Sequence, residues 1–119
     1  MTQEEKDLLL KDLCARLPYG VKCDYEGSVL SIDKLDVTNK EVCGNLIAWY
    51  DAWPVEKCKP YLRPMSSITE EEKNDLFQLM GRGTDIERID FYISHYFDYR
   101  GLIPMGLALE APEDMYKID

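Results

Sequence analysis

His95 is the only histidine in the chain, so a general base or a metal site built on imidazole has a single ring to draw on. Asp98, three residues further on, is placed to orient that ring. One of Cys14, Cys23, Cys43 or Cys58 would then have to stand beside it to make a Cys–His nucleophilic pair, and nothing in the sequence brings a cysteine there. The four cysteines contain no Cys-x-x-Cys pair and lack zinc-ribbon spacing; they read as small apolar side chains on core faces. No catalytic residue, metal or cofactor is therefore assigned.

The remaining polar clusters have structural explanations. Glu70, Glu71 and Glu72 fall together where a helix should begin, and carboxylates in a first turn stabilise the helix dipole. Asp33, Asp36, Asp85 and Asp90 have no calcium-loop spacing. Gly81-Arg82-Gly83-Thr84 is a glycine turn ahead of a helix rather than a phosphate loop, and there is no Gly-x-Ser-x-Gly elbow. Two stretches suit binding instead. Trp49, Tyr50 and Trp53, followed by Pro54, would either line a groove for an extended peptide or pack into the core. Residues 94–101, SHYFDYRG, gather His95, Asp98, Tyr99 and Arg100 at a helix end, where they would form a contact site or a lock on the helix's orphan carbonyls. With Tyr61 and Arg63 added, the candidate binding residues are Tyr61, Arg63, His95, Asp98, Tyr99 and Arg100.

The charge balance narrows the partners. With 23 acidic against 14 basic side chains the formal net charge is −9, a field that repels phosphate backbones and anionic headgroups. Arg63, Arg82, Arg88 and Arg100 form no basic run, so nucleic acid is disfavoured. The opening MTQEEKDLLL has only three consecutive leucines, too few for a signal peptide or a membrane anchor, and a soluble cytoplasmic chain with reduced thiols is expected. Two Trp, eight Tyr and three Phe argue against disorder.

The elements that must position these residues give an α+β domain. Thr2 with Glu5, Thr69 with Glu72 and Thr84 with Glu87 are capping boxes, each predicting a helix start. The first helix sets Leu9, Leu10, Leu13, Cys14 and Leu17 on an apolar face, with Glu4, Glu5, Lys11, Asp12 and Arg16 elsewhere, and Pro18 stops it. Val21, Cys23 and Tyr25 alternate with polar residues, Glu26-Gly27 is a tight turn, and residues 28–37 continue as a second strand. Residues 42–50 form a third apolar run in which Gly44 marks a bulge or a close approach, and residues 55–62 a fourth, limited by Pro54 and Pro60. Leu76, Phe77, Leu79 and Met80 follow the second cap, with Gly81 and Gly83 as the stop. Ile86, Ile89, Ile93, Tyr96 and Phe97 share one face after the third cap. Leu102, Ile103, Met105, Leu107 and Leu109 make the tail too apolar to be free, so it should pack on the body or on a partner. The expectation is one domain: a helix over 1–17, a small, strongly bent antiparallel sheet of three or four strands over 19–62, SH3-like or a partly open barrel, two helices over 69–97, and a packed irregular tail over 98–119.

KPYLRPMSSITEEE at 59–72 and HYFDYRGLIPMGLALEAPEDMY at 95–116, with the opening KDLCARLPYGVK, resemble a group of uncharacterised small proteins of gut bacterial genomes and their phage-like elements. The matching residues are Tyr61 to Ser66 in the first phrase and His95 to Gly101 in the second. The resemblance implies a mobile-element setting and carries no activity, cofactor or catalytic residue. The expected function is a non-enzymatic protein-binding or regulatory accessory module whose partner is another protein or a second copy of the chain. The alternatives are a small enzyme or small-molecule binder using His95 and Asp98, and a homo-oligomeric structural protein pairing through residues 102–109.

Overall fold

The first helix, α1 (Gln3–Arg16), begins at the capping box expected of it: Thr2 Oγ1 accepts from the Glu5 N–H at 3.1 Å and Glu5 Oε1 accepts from the Thr2 N–H at 2.8 Å. Leu9, Leu10 and Leu13 are buried as the periodicity requires, and Pro18 turns the chain through a single 3-10 turn. Three other residues of α1 depart from the expectation. Cys14 is exposed, whereas Asp12 and Arg16, assigned to the polar side, are fully buried. The computed structural model describes residues 1–46, 49–82, 85–112, 115 and 116, and the side chains of all of these but 45, 46, 49–51 and 80–82.

Strands β1 (Val21–Tyr25) and β2 (Ser28–Asp36) form the expected hairpin, paired from Val21–Ile32 to Tyr25–Ser28. Both residues of its two-residue loop, Glu26 (φ 48°) and Gly27 (φ 86°), are left-handed, the geometry whose twist matches that of the flanking strands. β3 (Glu41–Leu46) follows a turn held by Asp36, whose carboxylate accepts from the Asn39 backbone and side chain at 3.0 and 2.8 Å. The β2–β3 register slips between Ile32 and Lys34, and opposite the slip stands Gly44, where a Cβ would run into the Ser31 carbonyl oxygen. The close approach read from that glycine is therefore present.

The sheet is larger than expected. The apolar run 42–50 contributes to two strands, since β4 (Trp49–Pro54) pairs back on β3 from Leu46–Trp49 to Glu41–Pro54. A 3-10 turn over Val55–Lys57 then carries the chain to β5 (Lys59–Leu62), which pairs antiparallel with the far side of β1 at Cys23–Pro60 and Asp24–Lys59. Two helices follow, α2 (Glu70–Arg82) and α3 (Asp85–Ser94), and the tail adds β6 (Leu109–Glu110), parallel to β5 through Tyr61–Leu109 and Leu62–Glu110. The fold is α+β: an N-terminal helix, a six-stranded mixed sheet in the order β4-β3-β2-β1-β5-β6, and two further helices. The expected three or four antiparallel strands become six because the run 42–50 is shared between β3 and β4, and because β6, only two residues long, is recruited by backbone pairing that leaves no alternating pattern to read.

The core lies between α1 and the sheet. Leu9, Leu10 and Leu13 meet Val21, Cys23, Leu30, Ile32, Val42, Val55 and Leu62, and the tail closes the cluster with Leu102, Leu107 and Ala108. Each fully buried aliphatic side chain contributes about 1.5–3 kcal/mol. Trp53 belongs to this core, 5.4 Å from the Tyr25 ring, which removes it from any groove; the side chains of Trp49 and Tyr50 lie outside the described residues. The tail packs on the body through Leu102, Leu107 and Ala108, while Met105 stays exposed. Among the described residues no helix is long and apolar enough to cross a membrane.

Candidate functional site

Five of the six candidate residues, Arg63, His95, Asp98, Tyr99 and Arg100, lie on or against the segment that follows α3. Arg63 follows β5 and pairs its backbone with the segment after α3: its N–H donates to the Tyr96 carbonyl at 2.7 Å and its carbonyl accepts from the Asp98 N–H at 2.8 Å. Tyr96 adopts φ 65°, unusual for a bulky residue, to leave α3 and enter this pairing. The Arg63 guanidinium then reaches α2 and donates two 2.7 Å bonds to the Glu72 carboxylate, with a further bond to the Ser67 carbonyl at 3.1 Å. It also lies 4.2 Å above the Phe97 ring. Glu72 closes the second capping box, accepting from the Thr69 N–H at 2.9 Å while Thr69 Oγ1 accepts from the Glu72 N–H at 3.2 Å. One arginine thus ties β5, the start of α2 and the end of α3 together. The third box, Thr84 with Glu87, lies outside the described residues, as does the Gly83 stop, and α2 runs through Gly81 rather than ending there.

The Arg63 guanidinium holds Glu72 down at about 2, against an ordinary value of 4.5, with the Thr69 cap adding to the effect and partial burial opposing it. A depressed carboxylate contributes stability that is complete above pH 4.5 and lost as the pH falls toward 2. Glu72→Gln should therefore be less stable than wild type in urea at pH 6, and the gap should close as the titration approaches pH 2. A gap independent of pH would show that the charge of Glu72 is not what Arg63 uses.

His95 and Asp98 do not meet each other. His95 Nδ1 stands 2.9 Å from the Phe91 carbonyl, a contact that requires Nδ1 to carry the proton, and the ring stacks on Phe91 at 4.1 Å between centroids. Asp98, buried, accepts from the Leu102 and Ile103 N–H groups at 2.7 and 2.9 Å and so shapes the turn that sends the tail into the core. No bond among the described residues joins His95 to a cysteine. Cys23, Cys43 and Cys58 are buried, and burial raises the thiols of Cys23 and Cys58, the latter to about 12. Among the described residues no group of three or more His, Cys, Asp or Glu side chains could hold a metal ion.

Arg100 leads to a cluster the sequence reading missed. Its Nε donates to Asp12 Oδ1 at 3.1 Å, and the same carboxylate takes Arg16 Nε at 2.7 Å and Arg16 Nη2 at 3.2 Å. Arg16 Nη2 also donates to the Phe97 carbonyl at 2.6 Å, while its Nη1 is buried with no hydrogen-bond partner among the described residues. Tyr99 lies flat against Tyr92 at 5.9 Å, with the guanidinium groups of Arg100 and Arg16 4.8 and 5.8 Å from its ring centroid, and burial raises its hydroxyl. Phe97 is the hinge of the whole arrangement, its ring under Arg63 and its carbonyl on Arg16. A signal for the cluster was present: Arg16 shares the i, i+4, i+7 stripe of Leu9 and Leu13, and Asp12 lies four residues before it.

Tyr61, the remaining candidate, sits apart from that joint and reveals a second stitch. The β1–β5 register would next bring Lys22 against Tyr61, but the Tyr116 hydroxyl stands between them, accepting from the Lys22 N–H at 3.0 Å and donating to the Tyr61 carbonyl at 2.7 Å. Burial holds this phenol well above its ordinary range. Tyr116→Phe should leave both backbone groups unpaired and cost about 1–3 kcal/mol. Faster exchange of the Lys22 amide, alongside a lower urea midpoint, is the expected signature; unchanged exchange would remove the hydroxyl from the ladder. The Tyr61 hydroxyl makes only a long 3.4 Å bond to Asp24.

A cleft of about 260 Å³ opens beside this stitch among Tyr19, Lys22, Ser31, Tyr96 and Tyr116. Tyr96 and Tyr116 stack at 3.8 Å, the Tyr96 hydroxyl donates to the Tyr19 carbonyl at 2.7 Å, and Lys22 Nζ reaches the Met115 carbonyl at 3.4 Å. Those polar groups are hydrogen-bonded within the chain.

Uncovered apolar side chains occur singly at Val29, Val37, Met65 and Met105, and on the helices α2 and α3. No described residue of α2 is buried, and Phe77 on α2 is 78% exposed, with Ile86 at 70% and Ile89 at 38% on α3. These residues were expected on packed helix faces. On α3 the stripe they begin is completed by Ile93, which is buried against the body, so Ile86 and Ile89 are the uncovered continuation of a core stripe. Compared with protein-family profiles, with curated proteins and with solved structures, the chain matches none.

Proposed function

We propose that the chain is a non-enzymatic protein-binding module that docks its partner on the α2–α3 hairpin. The observation that carries this reading is the exposure of Phe77, Ile86 and Ile89 on two helices that Arg63 and Glu72 clamp to the sheet. Scattered apolar residues on a surface need no explanation; three bulky ones on two consecutive helices support the reading of an interaction surface. The residues singled out by type, Arg63, His95, Asp98 and Arg100, serve in this reading as the joint that holds the helices, since each makes a side-chain hydrogen bond within the chain. The order β4-β3-β2-β1-β5, with a 3-10 turn ahead of β5, resembles an SH3-like barrel, a shape compatible with a binding role without defining one. Four free thiols suit a reducing compartment.

Affinity capture with three baits tests the reading: wild type, Phe77→Asp and Ile86→Asp. Both substitutions fall on exposed positions and should leave the circular dichroism spectrum unchanged. A partner held by wild type should be recovered at least tenfold less with either variant, the scale of a lost hot-spot residue. Identical recovery with all three baits would move the contact off the hairpin.

A further inference from the structure

Charge identifies the kind of partner that this surface accepts. The inference rests on the hairpin being the docking surface and goes further by naming the occupant: we infer that it is an amphipathic helix whose apolar stripe is flanked by lysine or arginine. The stripe on α3 has helical spacing, with Ile86 and Ile89 three residues apart and Ile93 completing it at the body, a pattern that suits a helix laid alongside. Asp90, four residues after Ile86 and three before Ile93, is exposed beside the stripe, Glu71 and Asp75 are exposed on α2, and the cations of α2 and α3 whose side chains are described are engaged, Lys73 with Glu70 at 3.3 Å and Arg88 with Asp85 at 3.0 Å. Arg63 is committed to Glu72. A partner with basic flanks therefore meets complementary charge, gaining encounter rate as well as specificity from it.

The same charges argue against the other occupants. A second copy docked across a two-fold axis would set these acidic residues against themselves, because such an interface uses the same patch on both sides. An anionic membrane surface would be repelled, as would nucleic acid, by a chain of net charge −9.

A displayed library of randomised helical peptides supplies the test, selected on wild type and counter-selected on the Phe77→Asp/Ile86→Asp double variant. The expected winners carry apolar residues at i, i+3 or i+4, and i+7 with Lys or Arg beside them. Their affinity should fall tenfold or more on Ile86→Asp, and also when ionic strength rises about tenfold. Winners that discriminate the variant but carry acidic or uncharged flanks would overturn the partner class while leaving the hairpin as the docking surface. A selection in which nothing discriminates wild type from the double variant would overturn both. Light scattering closes the remaining route: a wild-type dimer that Ile86→Asp dissolves would put a second copy on the surface and overturn the basic helix.

Discussion

Replacing Asp12 by alanine is expected to cost about 3–5 kcal/mol of folding stability, the scale for breaking a buried ion pair by deleting one partner. Asp12 is fully buried on α1 and its carboxylate is shared: Oδ2 takes Arg16 Nε, and Oδ1 takes Arg16 Nη2 and Arg100 Nε. Removing it strands two guanidinium groups at once, one of them fully buried and already carrying an unpartnered Nη1. Asp12→Asn keeps acceptor geometry and loses the charge, so it should fall between wild type and alanine. Arg16→Met, which removes the deepest cation and fills similar volume, should cost less than Asp12→Ala, because the buried Asp12 carboxylate keeps Arg100 as its partner whereas Asp12→Ala leaves both guanidinium groups without theirs. Urea unfolding of the four proteins at neutral pH decides the order. An Asp12→Ala cost below about 1 kcal/mol would mean that the two arginines reach solvent when the carboxylate is gone, and that the cluster is not the buried network described.

That cluster also marks where sequence reading stops. The first two capping boxes, the Glu26–Gly27 hairpin turn, the alternation through Val21 and Cys23 and the close approach at Gly44 were all legible, because each is set by residues within a few positions of one another. Asp12 and Arg16 were read as solvated because charged side chains are almost never fully buried unless paired. Their partners, Arg100 and the Phe97 carbonyl, lie more than eighty residues away in sequence. The joint itself was partly visible, since the lock on a helix end was weighed as an alternative to a contact site at residues 94–101. Which carbonyls and carboxylates Arg63 would find was not visible, because the β5–Phe97 bridge that aims it is a tertiary pairing with no local signature. The pairing of β6 with β5 and the Tyr116 stitch were not visible for a related reason: one joins backbone groups and the other a side-chain hydroxyl to backbone groups, both across long stretches of chain. The exposed face of the hairpin was misread in the opposite direction, since an amphipathic pattern announces an apolar face without saying that anything in the same chain will cover it.

The second large effect is expected at Phe97, because it joins both halves of the interior that hold the hairpin. Phe97→Ala should cost about 3–5 kcal/mol, the range for deleting a buried aromatic ring that its surroundings cannot replace. The ring is fully buried, edge-on to Tyr92 at 6.4 Å and capped by the Arg63 guanidinium at 4.2 Å. With it gone, Arg63 loses the surface it lies on while keeping Glu72, so the clamp on α2 should loosen before the sheet does. Hydrogen exchange should therefore show lost protection in α2 and α3 at denaturant concentrations where β1, β2 and β3 remain protected. Phe97→Leu restores most of the volume without the ring face and should recover most of the lost stability, leaving a deficit below about 1.5 kcal/mol. If leucine restores the urea midpoint but not α2 protection, the arginine–ring contact is what steadies the hairpin. If it restores both, packing volume alone does so; and if Phe97→Ala loosens the sheet and the hairpin together, Phe97 belongs to the main core and the hairpin has no separate clamp.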